Sequence, residues 1–342
     1  MIAAAATPAK EIRRFCSPAS LGIIVRKRQR PWKEACVRSY CPMVLSLLML
    51  AAPAAPAQQV PDSAFRPPIE NPAFPAPNGP VVLIDEGHHN FHTAGGRYYT
   101  FAELLRRDGY RVLPSGCRFT GDSLARGEIL VVSNALHERN AQEWSLPTPS
   151  AFTPDEIAAV AAWVQGGGAL LLIADHMPFP GAAAELAAAF GFHLHNGFAV
   201  DTASPTGGTY VFRRADGTLR DHAITRGRND RERIDSVASF TGEAFRADSA
   251  AGLMVFGDGV VSLAPDTAWQ FDANTAAVAV SGWCQGAVKV IGAGRVAVFG
   301  EAAMFSAQLA GPNRTPAGMN SPAAPQNARF LLNVLHWLSG EL

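Results

Sequence analysis

The sequence predicts an α/β domain built around a mostly parallel β-sheet, and three observations support this prediction. From Val81 onward, short apolar runs typical of buried strands alternate with helical patterns. The run at residues 169–174 is apolar throughout, as expected for a strand covered on both faces. This alternation is typical of a parallel sheet with helices on both sides. After Phe192 the pattern changes to short strand-like runs, which indicate antiparallel additions in the second half.

The first half predicts four strands, at residues 81–85, 110–113, 129–133 and 169–174. The helix after the first strand has Thr100 as its expected N-cap and Glu103 three residues later, which is a capping box. The next helix is predicted to start at Thr153, because Pro154 and two acidic residues follow and favour a helix N-terminus. A third, alanine-rich helix is predicted over residues 182–190.

In the second half, short strands are predicted at residues 209–213, 253–256, 260–263 and 276–280. Residues 287–291 and 295–299 flank two glycines and predict a hairpin. The glycine pattern G-x-G-x-x-A at Gly292 is not interpreted as a dinucleotide site, because a strand follows it where the fingerprint needs a helix. The last helix is expected to begin near Pro322 and to bury its apolar face.

Residues 1–57 have the layout of a secretory signal peptide. A basic region precedes a short apolar run at residues 43–52, and a small-residue site ends at Ala57. The run is about half the ~20 residues of a membrane helix, so we expect cleavage near Ala57 and a secreted or periplasmic chain with no stable membrane span. An uncleaved anchor is the alternative. The basic region is unusually long, which suggests a translation start downstream, near Met43.

Residues 58–80 are predicted to be an extended linker, since prolines are dense there. The domain is therefore expected to span residues 81–342. The formal net charge of the chain is zero, which gives no electrostatic footprint for nucleic acid.

Polar side chains follow several predicted strands at the points where those strands end. The carboxyl ends of parallel strands meet at one edge of a sheet, where ligands bind in open α/β folds. We therefore predict a site for a small polar ligand at this edge. The predicted ligand-binding residues are Asp85, Glu86, His88, His92, Asp175 and His176.

The same residues allow a metal site. Imidazole and carboxylate groups are common ligands of divalent metals such as zinc, and His88, His92 and Asp175 are the candidates. Glu86 or Glu301 would then act as the general base of a metal-assisted hydrolysis. The alternative is that these groups hydrogen-bond one another and order the loop.

Nucleophilic catalysis has little support. No G-x-S-x-G elbow is present. Cys117 and Cys284, the two cysteines beyond the predicted signal peptide, have no local base and are interpreted as structural. Whether they pair as a disulfide is left open.

Four segments carry a resemblance to a known family: VVLIDEGHHNFHTAGGRYYTFAELLRRDGY, GGGALLLIADHMPFPGAAAELAAAFGF, DHAITRG and GRVAVFGEAAMF. The chain resembles the class I glutamine amidotransferase-like superfamily. It is most similar to the secreted branch related to the GIFT domain of intraflagellar transport proteins. The resemblance spans residues 81–342 and implies a flavodoxin-like three-layer sandwich.

True amidotransferases carry a nucleophilic cysteine after the strand that matches residues 169–174, where this chain has Asp175 and His176. The resemblance therefore implies a ligand-binding domain without amidotransferase catalysis. A metal-dependent hydrolase and an interaction module of an envelope assembly, with a protein partner, are the alternatives.

Overall fold

The structure, a computed structural model, describes residues 59–204 and 209–342. The predicted signal peptide and its cleavage site lie outside these residues. The strands are β1 (Gln59–Pro61), β2 (Val81–Asp85), β3 (Arg111–Ser115), β4 (Ile129–Ser133), β5 (Ala169–Ile173), β6 (Phe192–Leu194), β7 (Phe198–Asp201), β8 (Tyr210–Arg213), β9 (Ser236–Ser239), β10 (Phe245–Ala247), β11 (Ala251–Val255), β12 (Val260–Ala264), β13 (Ala276–Ala279), β14 (Cys284–Ile291), β15 (Gly294–Phe299), β16 (Ala307–Ala310) and β17 (Thr315–Gly318). The α-helices are α1 (Tyr99–Arg107), α2 (Gly121–Leu124), α3 (Pro154–Gln165), α4 (Phe179–Ala188), α5 (Ala223–Arg226) and α6 (Asn327–Ser339).

A nine-stranded sheet forms the centre of the molecule, in the order β3-β2-β4-β5-β15-β14-β10-β6, with β11 paired to β14. The first five strands in this order are parallel to one another. The strands β14, β10, β6 and β11 join by antiparallel pairing. The α/β class, the hairpin β14–β15 and the antiparallel additions are therefore confirmed.

Alternate residues of the strands point to opposite sides of the sheet, and both faces of the sheet are covered. On one face, Val82, Ile84 and Leu171 pack in a core that includes α1 and α6. On the other face, Leu83 and Leu172 pack in a second core that includes α3 and α4. Burial on both sides explains why β2, β4 and β5 are apolar along their length.

Three small sheets accompany the central one, in the orders β1-β16-β17, β13-β12-β7 and β8-β9. The sheet β13-β12-β7 lies beside the loop that follows β5, since the amide of Met177 donates to the carbonyl of Gly197 at 3.2 Å. This contact brings the second half of the chain to the end of β5.

Helix starts were predicted with mixed success. The capping box at α3 is confirmed: Thr153 caps Glu156 and Glu156 caps Thr153 in return. The cap predicted at Thr100 is wrong, because α1 begins at Tyr99 and the buried Thr100 hydroxyl donates to the carbonyl of Asp62 at 3.0 Å. Helices α4 and α6 begin at Phe179 and Asn327, displaced from the predicted starts at residues 182 and 322.

The prediction of a linker at residues 58–80 is corrected by the structure for residues 59–80. Strand β1 pairs with β16, and the side chains of Phe65, Ile69 and Phe74 pack against the core. The ring of Phe74 meets that of Tyr110 edge to face at 5.1 Å. These apolar side chains dock a proline-rich segment that has little regular secondary structure, so the folded unit begins before Val81.

None of the helices in residues 59–204 and 209–342 is long and apolar enough to cross a membrane.

Candidate functional site

Strand register explains why polar residues meet at one edge of the central sheet. Ser133 at the end of β4 pairs with Ile173 at the end of β5, and Phe299 at the end of β15 pairs with the same residue. The residues that follow these strands therefore emerge side by side. Strand β3 lies on one side of β2 and the next strand, β4, lies on the other side, so the strand order reverses at β2. In open α/β sheets, ligands bind at such a reversal point.

A closed network of two carboxylates and one imidazole follows β2. Nδ1 of His88 lies 2.9 Å from both carboxylate oxygens of Asp85, and Nε2 of His88 lies 3.1 Å from Oε1 of Glu156. All three residues are buried. The Asn90 amide also donates to Asp85 at 2.9 Å. Each ring nitrogen of His88 thus already has a carboxylate partner.

The pKa values in this network follow from its charges. Burial lowers the pKa of His88, but the hydrogen bonds and charges of Asp85 and Glu156 outweigh burial and raise it above its ordinary value. Burial raises the pKa of Glu156, but hydrogen bonds from Thr153 and His88 outweigh it and lower this pKa to about 2. The imidazole of His88 between two carboxylates ties the loop after β2 to the start of α3, as the loop-ordering interpretation expects.

Glu86 and His89 lie in the same loop after β2. The Oε1 atom of Glu86 accepts a hydrogen bond from the amide of Ala94 at 2.8 Å. His89 is exposed and has a positive φ of 46°.

A second polar cluster surrounds the ends of β4 and β5. Asn134 joins its parts: its Oδ1 accepts from the amide of Asp175 at 2.9 Å, and its Nδ2 lies 3.3 Å from Nδ1 of His92. The carboxylate of Asp175 accepts from the amide of His176 at 2.8 Å. The structure therefore brings His92, Asp175 and His176 into one group. We name His92, Asn134, Asp175, His176, Glu243 and Glu301 the Asp175 cluster.

Two buried glutamates complete the Asp175 cluster. Burial and the nearby charge of Asp175 raise the pKa of Glu301 well above its ordinary value, although the amides of Ala303 and Met304 donate to it at 2.7 Å. Burial likewise raises the pKa of Glu243, and Asp175 adds to this effect. One oxygen of Glu243 accepts from the amide of His195 at 2.7 Å. Its other oxygen, Oε1, is buried with no hydrogen-bond partner among the described residues.

The two histidines of the Asp175 cluster differ. Burial, with the charges of Arg97 and His176, lowers the pKa of His92 to about 3, so its ring stays neutral. Nδ1 of His176 lies 2.7 Å from the carbonyl of Met177, which can only accept. Nδ1 of His176 therefore donates to this carbonyl, and Nε2 of His176 makes no hydrogen bond to a group within residues 59–204 and 209–342.

Aromatic rings surround His176. Its ring stacks on Phe198 with centroids 4.6 Å apart and planes at 12°, and it meets Trp269 edge to face at 4.6 Å. Phe198 and Trp269 also line a cavity of about 450 Å³ whose wall includes Gln285. The Asp175 cluster therefore adjoins an aromatic cavity.

Sequence reasoning missed Glu243, Trp269 and Gln285. Glu243 follows a glycine with φ of 111° and directly precedes Ala244 and Phe245, and an acid next to this short apolar pair is the one signal that could have drawn attention to it. Trp269 and Gln285 come from loop and strand positions distant in sequence, and nothing in the pattern links them to β5.

Cysteine chemistry finds no support at this edge. Cys117 and Cys284 are both free, and neither follows β5. Cys117 is exposed, and burial raises the pKa of Cys284 to about 11, which disfavours its thiolate. Within the described ranges, no three His, Cys, Asp or Glu side chains are arranged to hold one metal ion.

Comparison with known proteins gives the fold. No family model and no curated protein matches the chain. The N-terminal domain of mmIFT52 matches with a TM-score of 0.53 and 14% identity, over 75% of this chain and 97% of that one. A cytoplasmic protein from Salmonella typhimurium LT2 gives 0.43 and 17%, over 75% and 98%. A ThuA-like protein from Bacteroides uniformis gives 0.42 and 10%, over 77% and 92%. The chain thus shares its fold with the N-terminal domain of mmIFT52.

Proposed function

We propose that this chain is a ligand-binding domain of the class I glutamine amidotransferase-like fold that takes a small polar ligand beside Asp175 and His176. In this proposal the domain is a flavodoxin-like three-layer sandwich, which the order of the five parallel strands and the two cores support. It does not carry out thioester chemistry, because Asp175 and His176 stand where true amidotransferases carry the cysteine.

The observation that carries the proposal is an unmet hydrogen-bonding capacity at the strand ends. Oε1 of Glu243 is fully buried without a partner among the described residues, and Nε2 of the nearby His176 makes no hydrogen bond to a described group. Buried polar groups are almost always hydrogen-bonded in native proteins, so the unpartnered oxygen of Glu243 supports a bound polar molecule at this edge. Burial raises the pKa of Glu243, which favours the protonated carboxyl group, and a protonated carboxyl group can donate a hydrogen bond.

The Asp85–His88–Glu156 network has a different role in this proposal. Both nitrogens of His88 are occupied, so the network holds the wall of the site and the ligand contacts the Asp175 cluster. His92 stays neutral and, through Asn134, helps to position the amide of Asp175.

The test is a thermal-shift screen with free amino acids, dipeptides, monosaccharides and disaccharides, repeated on matched variants. A ligand present at about 100 times its Kd raises the free energy of unfolding by about 2.7 kcal/mol. This increase corresponds to a rise in Tm of roughly 5 °C or more. We expect Asp175→Asn and His176→Gln to abolish this rise. The controls Asp248→Asn and His193→Gln alter an exposed pair away from the site and should preserve it.

The proposal fails if no compound raises Tm, or if the rise survives in both site variants. Metal analysis of the same preparations addresses the hydrolase alternative. One zinc per chain that is lost in His92→Ala would favour that alternative over simple ligand binding.

We also propose that the domain acts after export, on the strength of the signal-peptide layout of residues 1–57. N-terminal sequencing of the protein recovered from the envelope or medium should give Gln58 as the first residue. A cytoplasmic protein that retains residues 43–57 would contradict export.

A further inference from the structure

The cavity beside His176 has the size of a small-molecule site. Its volume of about 450 Å³ falls in the range of roughly 300–1,000 Å³ typical of such sites. Four strands of the small sheets, β7, β8, β9 and β12, and the loop after β12 contribute to its wall. Six aromatic rings line it: Phe198, Tyr210, Phe240, Phe256, Trp269 and Phe271.

One buried amide oxygen in this wall has no partner. Gln285 is 1% exposed, and its Nε2 donates to the carbonyls of Thr241 at 3.1 Å and Glu243 at 3.3 Å. These two bonds fix the orientation of the amide group. Its Oε1 is buried and accepts no hydrogen bond from any described residue. An N–H or O–H of a ligand that reached this oxygen would satisfy it.

The only charged side chain among the described lining residues, Asp201, is negative, although the positive charge of Arg213 also acts on Tyr210 in the wall. Aromatic faces carry negative partial charge. Asp201 lines the cavity, and its charge, with that of Asp216, adds to the effect of burial in raising the pKa of Tyr210. Among the described lining residues there is no lysine, arginine or histidine. A cation placed there would find electron-rich faces and one carboxylate, with no like charge in the wall.

We propose that this cavity binds an organic cation, a ring-bearing compound with a protonated amine. The ring packs among the aromatic side chains, and the ammonium group lies against the ring faces, as cations do in aromatic cages. An N–H of the ammonium group donates to Oε1 of Gln285, and the carboxylate of Asp201 supplies the opposite charge. A neutral ring compound would fill the same volume but would not compensate the charge of the Asp201 carboxylate, whose Oδ1 accepts from the amide of Ala203 at 2.9 Å.

The test is calorimetric titration of the purified protein with benzylammonium chloride and with benzyl alcohol, a neutral compound of nearly the same shape. We expect benzylammonium to bind about tenfold tighter than benzyl alcohol, as a partly desolvated cation–π site with a carboxylate predicts. Tetramethylammonium, which has no N–H for Gln285, should bind more weakly than benzylammonium. Equal affinity for the charged and neutral compounds would overturn the proposal, and so would no binding of benzylammonium at about 10 mM, well above the millimolar range of weak fragments.

Variants locate the binding. Asp201→Asn should remove the preference for the charged compound, and Trp269→Ala should weaken benzylammonium binding, whereas Trp269→Phe should largely restore it. Trp269 is 55% exposed, so its replacement should leave the fold intact. Asp248→Asn is the matched control and should change nothing. A preference that persists in both Asp201→Asn and Trp269→Ala would place the cation elsewhere and refute the assignment.

The proposal of a cation site and the proposal of a polar site at His176 can be refuted independently. Asp175→Asn removes the polar site without changing a cavity-lining residue, so benzylammonium binding should survive it.

Discussion

Acidification should destabilise this domain through His92, because its neutral ring is buried in the folded state. The pKa of His92 is about 3 in the folded protein against 6.5 for the ordinary side chain. A lowered folded pKa contributes stability that is present above pH 6.5 and is lost as the pH falls toward 3. Between pH 7 and pH 5, the unfolded chain takes up a proton at His92 that the folded chain does not.

The size of the effect follows from this difference. At pH 5 the unfolded state gains about 2 kcal/mol from protonating His92, and at pH 7 it gains only about 0.2 kcal/mol. His92→Phe removes the titration and keeps a ring against Tyr98, whose centroid lies 4.6 Å away. It also leaves the Asn134 amide without its partner, which costs about 1 kcal/mol.

The variant should therefore be about 1 kcal/mol less stable than the parent protein at pH 7 and about 1 kcal/mol more stable at pH 5. Urea unfolding followed by tryptophan fluorescence at the two pH values measures this reversal. Other titrating groups act in both proteins and cancel in the comparison. The half-exposed His193 provides the control, since His193→Gln should show no reversal. A pH-independent difference between His92→Phe and the parent would refute the reasoning.

Three further predictions concern the supports of the site. His88→Ala leaves the buried carboxylates of Asp85 and Glu156 facing each other without an imidazole between them. We therefore expect the free energy of unfolding at pH 6 to fall by about 3–5 kcal/mol. A decrease under about 1 kcal/mol would show that the network contributes little to stability. Gly242→Ala places a Cβ 2.2 Å from a backbone carbonyl at a φ of 111° and should lower Tm far more than Gly282→Ala, where φ is 79° and the space is open. Cys284→Ser should leave any ligand-induced rise in Tm unchanged, and its loss in a folded variant would revive thiol chemistry.

Local signals predicted the parallel half of the fold well. Strands β2, β4 and β5 are recognisable because burial on both faces requires unbroken apolar runs, and that requirement is visible in adjacent residues. The α3 capping box is equally local, since Thr153 and Glu156 are three residues apart. The strand ends at Asp85 and Asp175 followed directly from these elements.

Other features depend on contacts between distant parts of the chain. The segment 59–80 has the composition of a linker, yet it folds because β1 pairs with β16, about 250 residues later. Thr100 has a cap-like context, yet its hydroxyl bonds to Asp62 in that same segment. Neither pairing leaves a periodic trace in the sequence.

The candidate site shows the same division. The sequence predicted which polar residues follow the strands, because strand ends are a local property. Only the tertiary structure separated them into two groups, by setting Glu156 against His88 and Asn134 between His92 and Asp175. It also brought Glu243, Trp269 and Gln285 to the end of β5, because the β7 and β14 strands and their loops pack there. Hydrophobic pattern fixes which residues are buried, but the partners of a buried polar group are decided by long-range packing.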